Sequence, residues 1–195
     1  MTISLFYWPI AQSILIAFGV FLGQLIVGWS NDLHDLEDDL RHQRANKPLV
    51  AKEVTVYKLR KSLWIVIPCA LGLNLLGPLG LKAGSLYLFG IGCGVAYNFY
   101  FKYSLLSPLP YALAFAALPS CILISQGVTP PVWMWLGGSI FGVSAHFVNV
   151  LKDMDQDRIS GIGGLPQRLG KRGSIAAAGI SFILGAVIVL LKLLS

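Results

Sequence analysis

Residues 9–30 read PIAQSILIAFGVFLGQLIVGWS and run directly into NDLHDLEDD at residues 31–39. A helix needs about 20 mainly apolar residues to cross the hydrocarbon core of a bilayer, so the first segment is long enough to span a membrane. Ionisable groups beside lipid are costly unless they have partners, which makes the acidic segment a candidate functional site. Together the two segments predict a transmembrane helix that ends in a cluster of carboxylates.

Composition extends this prediction to the whole chain. Of the 195 residues, 55% are hydrophobic and 12% are charged, whereas about 25% charged residues are usual in a soluble domain. Lipid permits only helical bundles and closed barrels to span it, and these long apolar runs lack the alternation of barrel strands. We therefore predict an all-α, polytopic transmembrane bundle that forms a single domain over residues 1–195. Its six predicted spans are residues 9–30, 63–81, 84–101, 108–126, 132–151 and 174–194.

The positions of the basic residues indicate how the spans are oriented. Seven of the fifteen Lys and Arg residues lie in residues 31–62 and five lie in residues 152–173. Basic loops usually lie in the cytoplasm, so we expect both acidic segments on the cytoplasmic side of a cell membrane and both termini outside. Because the positive charge follows the loops, the expected partner of the surface is a lipid bilayer and not nucleic acid.

The first acidic cluster has a helical register. Asp32, Asp35 and Asp39 are three and four residues apart, so on a continuing helix they project from one face, whereas Asp38 projects off it. Neighbouring carboxylates repel one another and favour a cation between them. We therefore predict that Asp32, Asp35 and Asp39 bind a metal ion or a basic ligand.

A second acidic cluster follows the fifth span. Asp153 and Asp157 are four residues apart on one helical face, and Asp155 points to the opposite side. Alternate spans return the chain to the same side of the membrane, so the two clusters can face each other. Two facing sets of carboxylates suit Mg²⁺ that also binds phosphate oxygens. The alternative left open is a pair of solvated acidic loops that pair with nearby basic residues.

These motifs resemble those of the UbiA superfamily of membrane prenyltransferases. The family patterns N-D-x-x-D-x-x-x-D and D-x-x-x-D are matched by Asn31, Asp32, Asp35, Asp39, Asp153 and Asp157. The segment Tyr97–Lys102 resembles the tyrosine and lysine segment of the family. Residues 163–170 are similar to the family's T-L-P-x-x-x-G run, with Gly164 in place of threonine.

The resemblance implies an Mg²⁺-dependent enzyme that transfers a polyprenyl group from an allylic diphosphate to a small-molecule acceptor, often an aromatic one. The residues expected to take part in catalysis are Asp32, Asp35, Asp153, Asp157 and Tyr97. The residues expected to bind substrate are Asn31, Arg44, Lys47, Lys102, Asn149 and Arg158. The expected metal ligands are Asp32, Asp35, Asp39, Asp153 and Asp157. The ring of Tyr97 either faces a carbocation, orients a phosphate or serves packing.

The family pattern has nine transmembrane helices, and its first helix and last two have no predicted counterpart among these six spans. The resemblance therefore leaves open a non-catalytic membrane protein that binds prenyl diphosphates, and an assembly with a second copy or a partner subunit. His146 lies seven residues before Asp153, and we expect a core histidine there, with a general base as the alternative. We expect Cys69, Cys93 and Cys121 to be free thiols packed within the spans.

Overall fold

The computed structural model describes residues 8–194 and confirms the all-helical bundle. The helices are α1 (Ile10–Arg41), α2 (Val56–Leu76), α3 (Gly80–Phe99), α4 (Pro108–Ser125), α5 (Val132–Leu151), α6 (Met154–Ile159) and α7 (Leu165–Leu193). A single 3-10 turn, Phe101–Tyr103, follows α3. Within these residues the three cysteines are free thiols, as predicted, although Cys69 is exposed.

Each of the six predicted spans corresponds to a long helix. Among residues 8–194, five helices have both the length and the hydropathy of a membrane span, namely α1, α2, α4, α5 and α7. Helix α3 is not among them, because five glycines, Lys82 and Asn98 lower its mean hydropathy. Helix α3 nevertheless corresponds to the predicted span 84–101 and packs against α1, α2 and α4 within the bundle.

Helix α1 carries the first acidic cluster without a break. It has 32 residues, so it is about 48 Å long at 1.5 Å per residue, whereas the hydrocarbon core is about 30 Å thick. Its last turns therefore extend beyond the bilayer core. This confirms that residues 31–39 continue the first helix.

Two other helices begin earlier along the chain than their apolar residues indicate. Helix α2 begins at Val56, where Thr55 Oγ1 accepts a hydrogen bond from the Lys58 N–H at 3.3 Å. Helix α7 begins at Leu165 and is kinked at Gly170, whose φ of 69° lies in the left-handed region that favours glycine. The helical turn before this kink, residues 165–169, therefore has a different axis from the membrane-spanning part of α7.

Close backbone contacts hold α4 and α5 together. A Cβ atom on Gly142 would collide with the carbonyl oxygen of Tyr111, and one on Gly138 would lie 2.7 Å from the carbonyl oxygen of Phe115. Small residues at such crossings let transmembrane helices approach closely. Helix α3 packs on α4, α5 packs on α7, and α1 packs on α2 and α3. The bundle therefore brings the ends of α1, α3 and α5 together, and we call this the acidic end.

Candidate active site

A cavity of about 410 Å³ opens at the acidic end, within the range of roughly 300–1,000 Å³ that is usual for ligand sites. We call it the polar cavity. Nine of the twelve predicted site residues line it, and they are Asn31, Asp35, Arg44, Lys47, Tyr97, Lys102, Asn149, Asp153 and Asp157. The other three, Asp32, Asp39 and Arg158, lie outside its lining. The structure thus brings residues from both acidic clusters into one cavity.

Two aspartates of α1 pair with lysines from other segments. Asp35 lies in the cavity wall and accepts a hydrogen bond from Lys102 Nζ, and Lys102 is only 5% exposed. Asp32 lies beside the lining and accepts a hydrogen bond from Lys47 Nζ at 3.1 Å. Burial alone would lower the pKa of Lys47, but the hydrogen bond to Asp32 and the charge of that carboxylate raise it above its ordinary value. Lys47 therefore stays charged at neutral pH.

Asp39 points into the protein and not into the polar cavity. Its side chain is 2% exposed, and Oδ1 accepts a hydrogen bond from Arg44 Nη1 at 2.8 Å. Asn31 and Asp35 instead define the side of α1 that faces the cavity. Asp32, Asp35 and Asp39 share one side of the continuous helix α1, as their spacing predicts, but of the three only Asp35 lines the cavity. Their roles as metal ligands remain predictions.

The second acidic cluster does not continue α5. That helix ends at Leu151, and Asp153 caps the short helix α6, where the Asp157 N–H donates to the Asp153 carbonyl oxygen at 2.9 Å. Both aspartates still line the polar cavity, and Asp155 is exposed. Gln167 Nε2 donates to Asp157 Oδ2 at 3.0 Å. Burial raises the pKa of Asp157 to about 6, and the charge of Asp153 adds to the rise.

The carboxylates of the polar cavity fit a divalent cation that binds together with phosphate. Among residues 8–194 there is no group of three or more His, Cys, Asp or Glu side chains arranged to hold a metal ion alone. Mg²⁺ commonly takes one or two carboxylates, several waters and substrate phosphate oxygens. Asp35, Asp153 and Asp157 supply hard oxygen donors of that kind, and all three line the cavity.

Two tyrosines form the inner wall of the polar cavity. The rings of Tyr97 and Tyr111 meet edge to face with centroids 5.1 Å apart, and Asn149 Nδ2 donates to Tyr111 Oη at 3.0 Å. His146 lies behind them, fully buried, with its ring centroid 5.4 Å from that of Tyr97 and 5.0 Å from that of Tyr111. His146 does not line the cavity, so the structure favours the core histidine over the general base.

Ser107 connects this wall to α7. Its Oγ lies 3.1 Å from His146 Nε2 and accepts a hydrogen bond from the Leu165 N–H at 3.1 Å. The residue that caps α7 is Gly164, which has no side chain to do this. A Cβ at Gly164 would lie 3.1 Å from Ser107 Oγ and 2.8 Å from the Lys102 carbonyl oxygen. Ser107, the residue before α4, thus accepts a hydrogen bond at the start of α7 that Gly164 has no side chain to accept.

Replacing Ser107 by alanine is expected to destabilise the protein by about 1–3 kcal/mol, because the Leu165 N–H and His146 Nε2 lose a buried partner. The loss should appear in denaturant unfolding of the detergent-solubilised protein. Ser104→Ala is the matched control, since its hydroxyl bonds only to the nearby Phe101 and Leu106 backbone. Equal losses in the two variants would contradict this role for Ser107.

Several lining residues carry no charge and were not predicted. Gln156, Asn46 and Asn98 line the polar cavity, and Asn98 Nδ2 donates to the Val27 carbonyl oxygen at 3.0 Å. The sequence gives a weak indication for Gln156, because this residue lies between the two aspartates of the second motif. Arg158, in contrast, was predicted to bind substrate and is exposed outside the lining.

A smaller, mainly apolar pocket of about 170 Å³ adjoins the polar cavity, and we call it the apolar pocket. The two spaces share four lining residues, Val27, Tyr97, Asn98 and Tyr111. The apolar pocket continues between α1, α3 and α4 as far as Gly90 and Phe115. A ligand that enters both spaces therefore meets charged groups at one end and hydrocarbon at the other.

A helical bundle with membrane-spanning segments and such a divided internal site defines an integral membrane protein that can hold an amphipathic ligand. The chain belongs to the UbiA prenyltransferase family, whose family model matches residues 4–195. This confirms the resemblance drawn from the two acidic motifs, and it makes the chain a member of a family of membrane prenyltransferases. Comparisons with curated proteins and with solved structures found no match.

Proposed function

We propose that this protein transfers a polyprenyl group from an allylic diphosphate to a small acceptor, with Mg²⁺ as its cofactor. The observation that carries the proposal is the sharing of Val27, Tyr97, Asn98 and Tyr111 by the polar cavity and the apolar pocket. A prenyl diphosphate has the same division, with a charged head joined to a hydrocarbon tail. Its allylic carbon would then lie near the two tyrosines, where the two spaces meet.

The cations of the polar cavity are suited to the diphosphate head. Lys47 and Lys102 line the cavity and donate to carboxylates at its edge, so both ammonium groups lie at the wall that a diphosphate head would contact. Asp35, Asp153 and Asp157 would hold Mg²⁺, which supplies positive charge to the departing diphosphate when it is bound. Charges fixed in advance in this way stabilise developing negative charge effectively.

The proposed reaction breaks one carbon–oxygen bond and forms one new bond to the allylic carbon. The electron pair of the broken bond leaves with the diphosphate, and the acceptor supplies the pair for the new bond and loses a proton. The ring of Tyr97 lines both spaces, so its face can stabilise a cationic allylic carbon. An aromatic acceptor would suit the proposed site, because its ring can pack against Tyr97 and Tyr111.

The same proposal places the acidic end in the cytoplasm of the cell. Twelve of the fifteen basic residues lie in the two long segments 31–62 and 152–173, which contain the acidic clusters. Cytoplasmic loops carry such an excess of Lys and Arg. A prenyl diphosphate would therefore present its head from the cytoplasmic side while its tail enters the bundle.

The purified protein, incubated with radiolabelled farnesyl or geranylgeranyl diphosphate, Mg²⁺ and a panel of aromatic acceptors, tests the proposal directly. We expect a labelled organic product that requires both acceptor and Mg²⁺ and is lost when EDTA is added. Donor binding is measured in parallel by equilibrium dialysis. Binding without product across the panel would contradict the enzyme and leave a binding protein.

Replacing Gly90 by leucine is expected to shift the preference towards shorter donors. The apolar pocket resembles in size a cavity of about 150 Å³ that holds benzene, so it accepts about one isoprene unit beyond the allylic unit at the two tyrosines, and a longer tail would continue past it. A Cβ on Gly90 makes only ordinary contacts, the nearest at 3.6 Å to Ala114, so a leucine fits by filling the pocket. We expect kcat/KM for geranyl diphosphate to fall about 10-fold or more relative to dimethylallyl diphosphate.

Gly92→Leu is the matched control for Gly90→Leu. It lies two residues further along α3, where an added Cβ meets no atom within 4 Å, and it lines a lateral groove instead of the apolar pocket. This control should leave the donor preference unchanged. The same preference shift in both variants would show that the apolar pocket does not hold the tail.

A further inference from the structure

Arg44 connects the end of α1 to the segment that follows α6. Its two terminal nitrogens bind different parts of the chain, with Nη1 donating to Asp39 Oδ1 at 2.8 Å and Nη2 donating to Ser160 Oγ at 2.6 Å. The side chain of Arg44 is 14% exposed and that of Asp39 is 2% exposed. Arg44 thus joins two segments that are distant in sequence, in a position largely shielded from water.

This connection runs beside the polar cavity. Asp39 lies one turn beyond Asp35 on α1, and Ser160 caps the end of α6, three residues after Asp157. Short helical segments are stiff, so a link between Asp39 and Ser160 also restricts the separation of Asp35 and Asp157. These two aspartates are the carboxylates that α1 and α6 contribute to the cavity wall.

The backbone holds Arg44 in place for this contact. The Arg44 N–H donates to the Asp39 carbonyl oxygen at 3.0 Å, and the Lys47 N–H donates to the Arg44 carbonyl oxygen at 3.0 Å. The guanidinium is a planar fork that can serve two acceptors at once, which a lysine ammonium on a flexible stem does less well. The turn therefore presents Arg44 already oriented towards both partners.

We infer that Arg44, together with Asp39 and Ser160, is a positioning group that sets the distance between the two acidic segments. Its guanidinium is occupied by these two partners and by Asp38, whose Oδ2 lies 3.3 Å from Nη2. Arg44 itself lines the polar cavity, and with its two terminal nitrogens held by these partners it acts on the site by positioning Asp35 and Asp157. The expected effect of Arg44 on kcat/KM rests on the proposed function, whereas its effect on the distance between the two segments does not.

Spin labels on the two segments measure the distance directly. Leu40→Cys and Asp155→Cys lie on exposed positions of α1 and α6, and Cys69→Ser removes the exposed native thiol. We expect pulsed electron paramagnetic resonance to show a narrow distance distribution that broadens when Ser160→Ala is added. Ser160→Thr keeps the hydroxyl and should restore the narrow distribution.

Two further variants test whether Arg44 is responsible. Arg44→Gln should broaden the distribution at least as much as Ser160→Ala, and Arg41→Gln should leave it narrow, because Arg41 pairs with the exposed Glu37. Ser160→Ala is the primary variant, since it removes one end of the link and leaves the Asp39 pair intact. An unchanged distribution in both Ser160→Ala and Arg44→Gln overturns the inference whether or not the protein transfers prenyl groups.

Kinetics provide a second, independent readout. If Arg44 positions the segments through Ser160, the double variant Arg44→Gln/Ser160→Ala should have the same kcat/KM as Arg44→Gln alone. The effects of substitutions in one hydrogen-bond network do not add. If Arg44 bound the diphosphate, Ser160→Ala would leave kcat/KM unchanged, and the inference would fail. A wild-type protein without activity overturns the proposed function but leaves the spin-label result to decide this inference.

Discussion

Replacing Asp35 by alanine is expected to lower kcat/KM for prenyl transfer by roughly 10²–10³-fold, the loss typical when a group that stabilises developing charge is removed. Asp35 is the aspartate of α1 that lines the polar cavity, and it holds Lys102 in the wall. Its loss removes a proposed Mg²⁺ ligand and releases a lysine proposed to bind the diphosphate. Initial rates with saturating acceptor measure the effect, and circular dichroism checks that the helices persist.

Asp38→Ala is the matched control for this prediction. Asp38 is also on the last turns of α1, but it lies beside His42 and Arg44 and outside the cavity lining. We expect it to retain most of the activity. An equal loss in Asp35→Ala and Asp38→Ala would show that the negative charge of the segment matters, and not the placement of one carboxylate in the cavity.

The same reasoning extends to the second motif. Asp157→Ala should lose as much activity as Asp35→Ala, because Asp157 lines the cavity and accepts a hydrogen bond from Gln167. Asp155→Ala is its control, since Asp155 is on the same short helix and exposed. Asp32→Ala is also predicted to abolish turnover, in this case through Lys47, which loses its partner at the cavity wall.

The helices that sequence predicts best are those with uniform composition and sharp ends. Residues 132–151 were predicted and observed as α5, because Pro131 begins the helix and the apolar run stops at Lys152. The start of α7 was predicted nine residues late, because Arg168, Lys171 and Arg172 interrupt the apolar pattern. Hydropathy reports where lipid contacts a helix, and it does not report where the helix begins outside the lipid.

The acidic motifs show where sequence reasoning about the site ends. Spacing correctly indicates which residues share a side of α1, but the cavity is centred on the side of Asn31 and Asp35. That centre depends on how α3 packs against α1 and on where the short helix α6 lies at the acidic end, which local periodicity does not contain. The role of Ser107 is harder still to predict from sequence. Its partner Leu165 is 58 residues away, and neither residue carries a charge that would identify it as part of the site.

The pairing of Asp39 with Arg44 leads to the largest expected effect on stability. Asp39→Ala should destabilise the protein by about 3 kcal/mol, because it removes the buried carboxylate of the pair and leaves the mostly buried guanidinium with only the partly exposed Asp38 as a carboxylate partner. Glu37→Ala is the control, since Glu37 pairs with Arg41 at the exposed surface, and such pairs contribute about 0–1 kcal/mol. The free energies of unfolding come from denaturant titration of the detergent-solubilised protein.

A double variant separates two effects of the Arg44 side chain: the destabilisation that follows when its charge loses Asp39, and the positioning of the two acidic segments through Ser160. Apolar replacement of a whole buried ion pair is often neutral or stabilising, so Asp39→Leu combined with Arg44→Met should recover most of the stability that Asp39→Ala loses. It should not recover the narrow distance between the acidic segments, because no group then reaches Ser160. A double variant that is stable and also keeps the narrow distance would show that packing alone sets the cavity, and that the Arg44 link is dispensable.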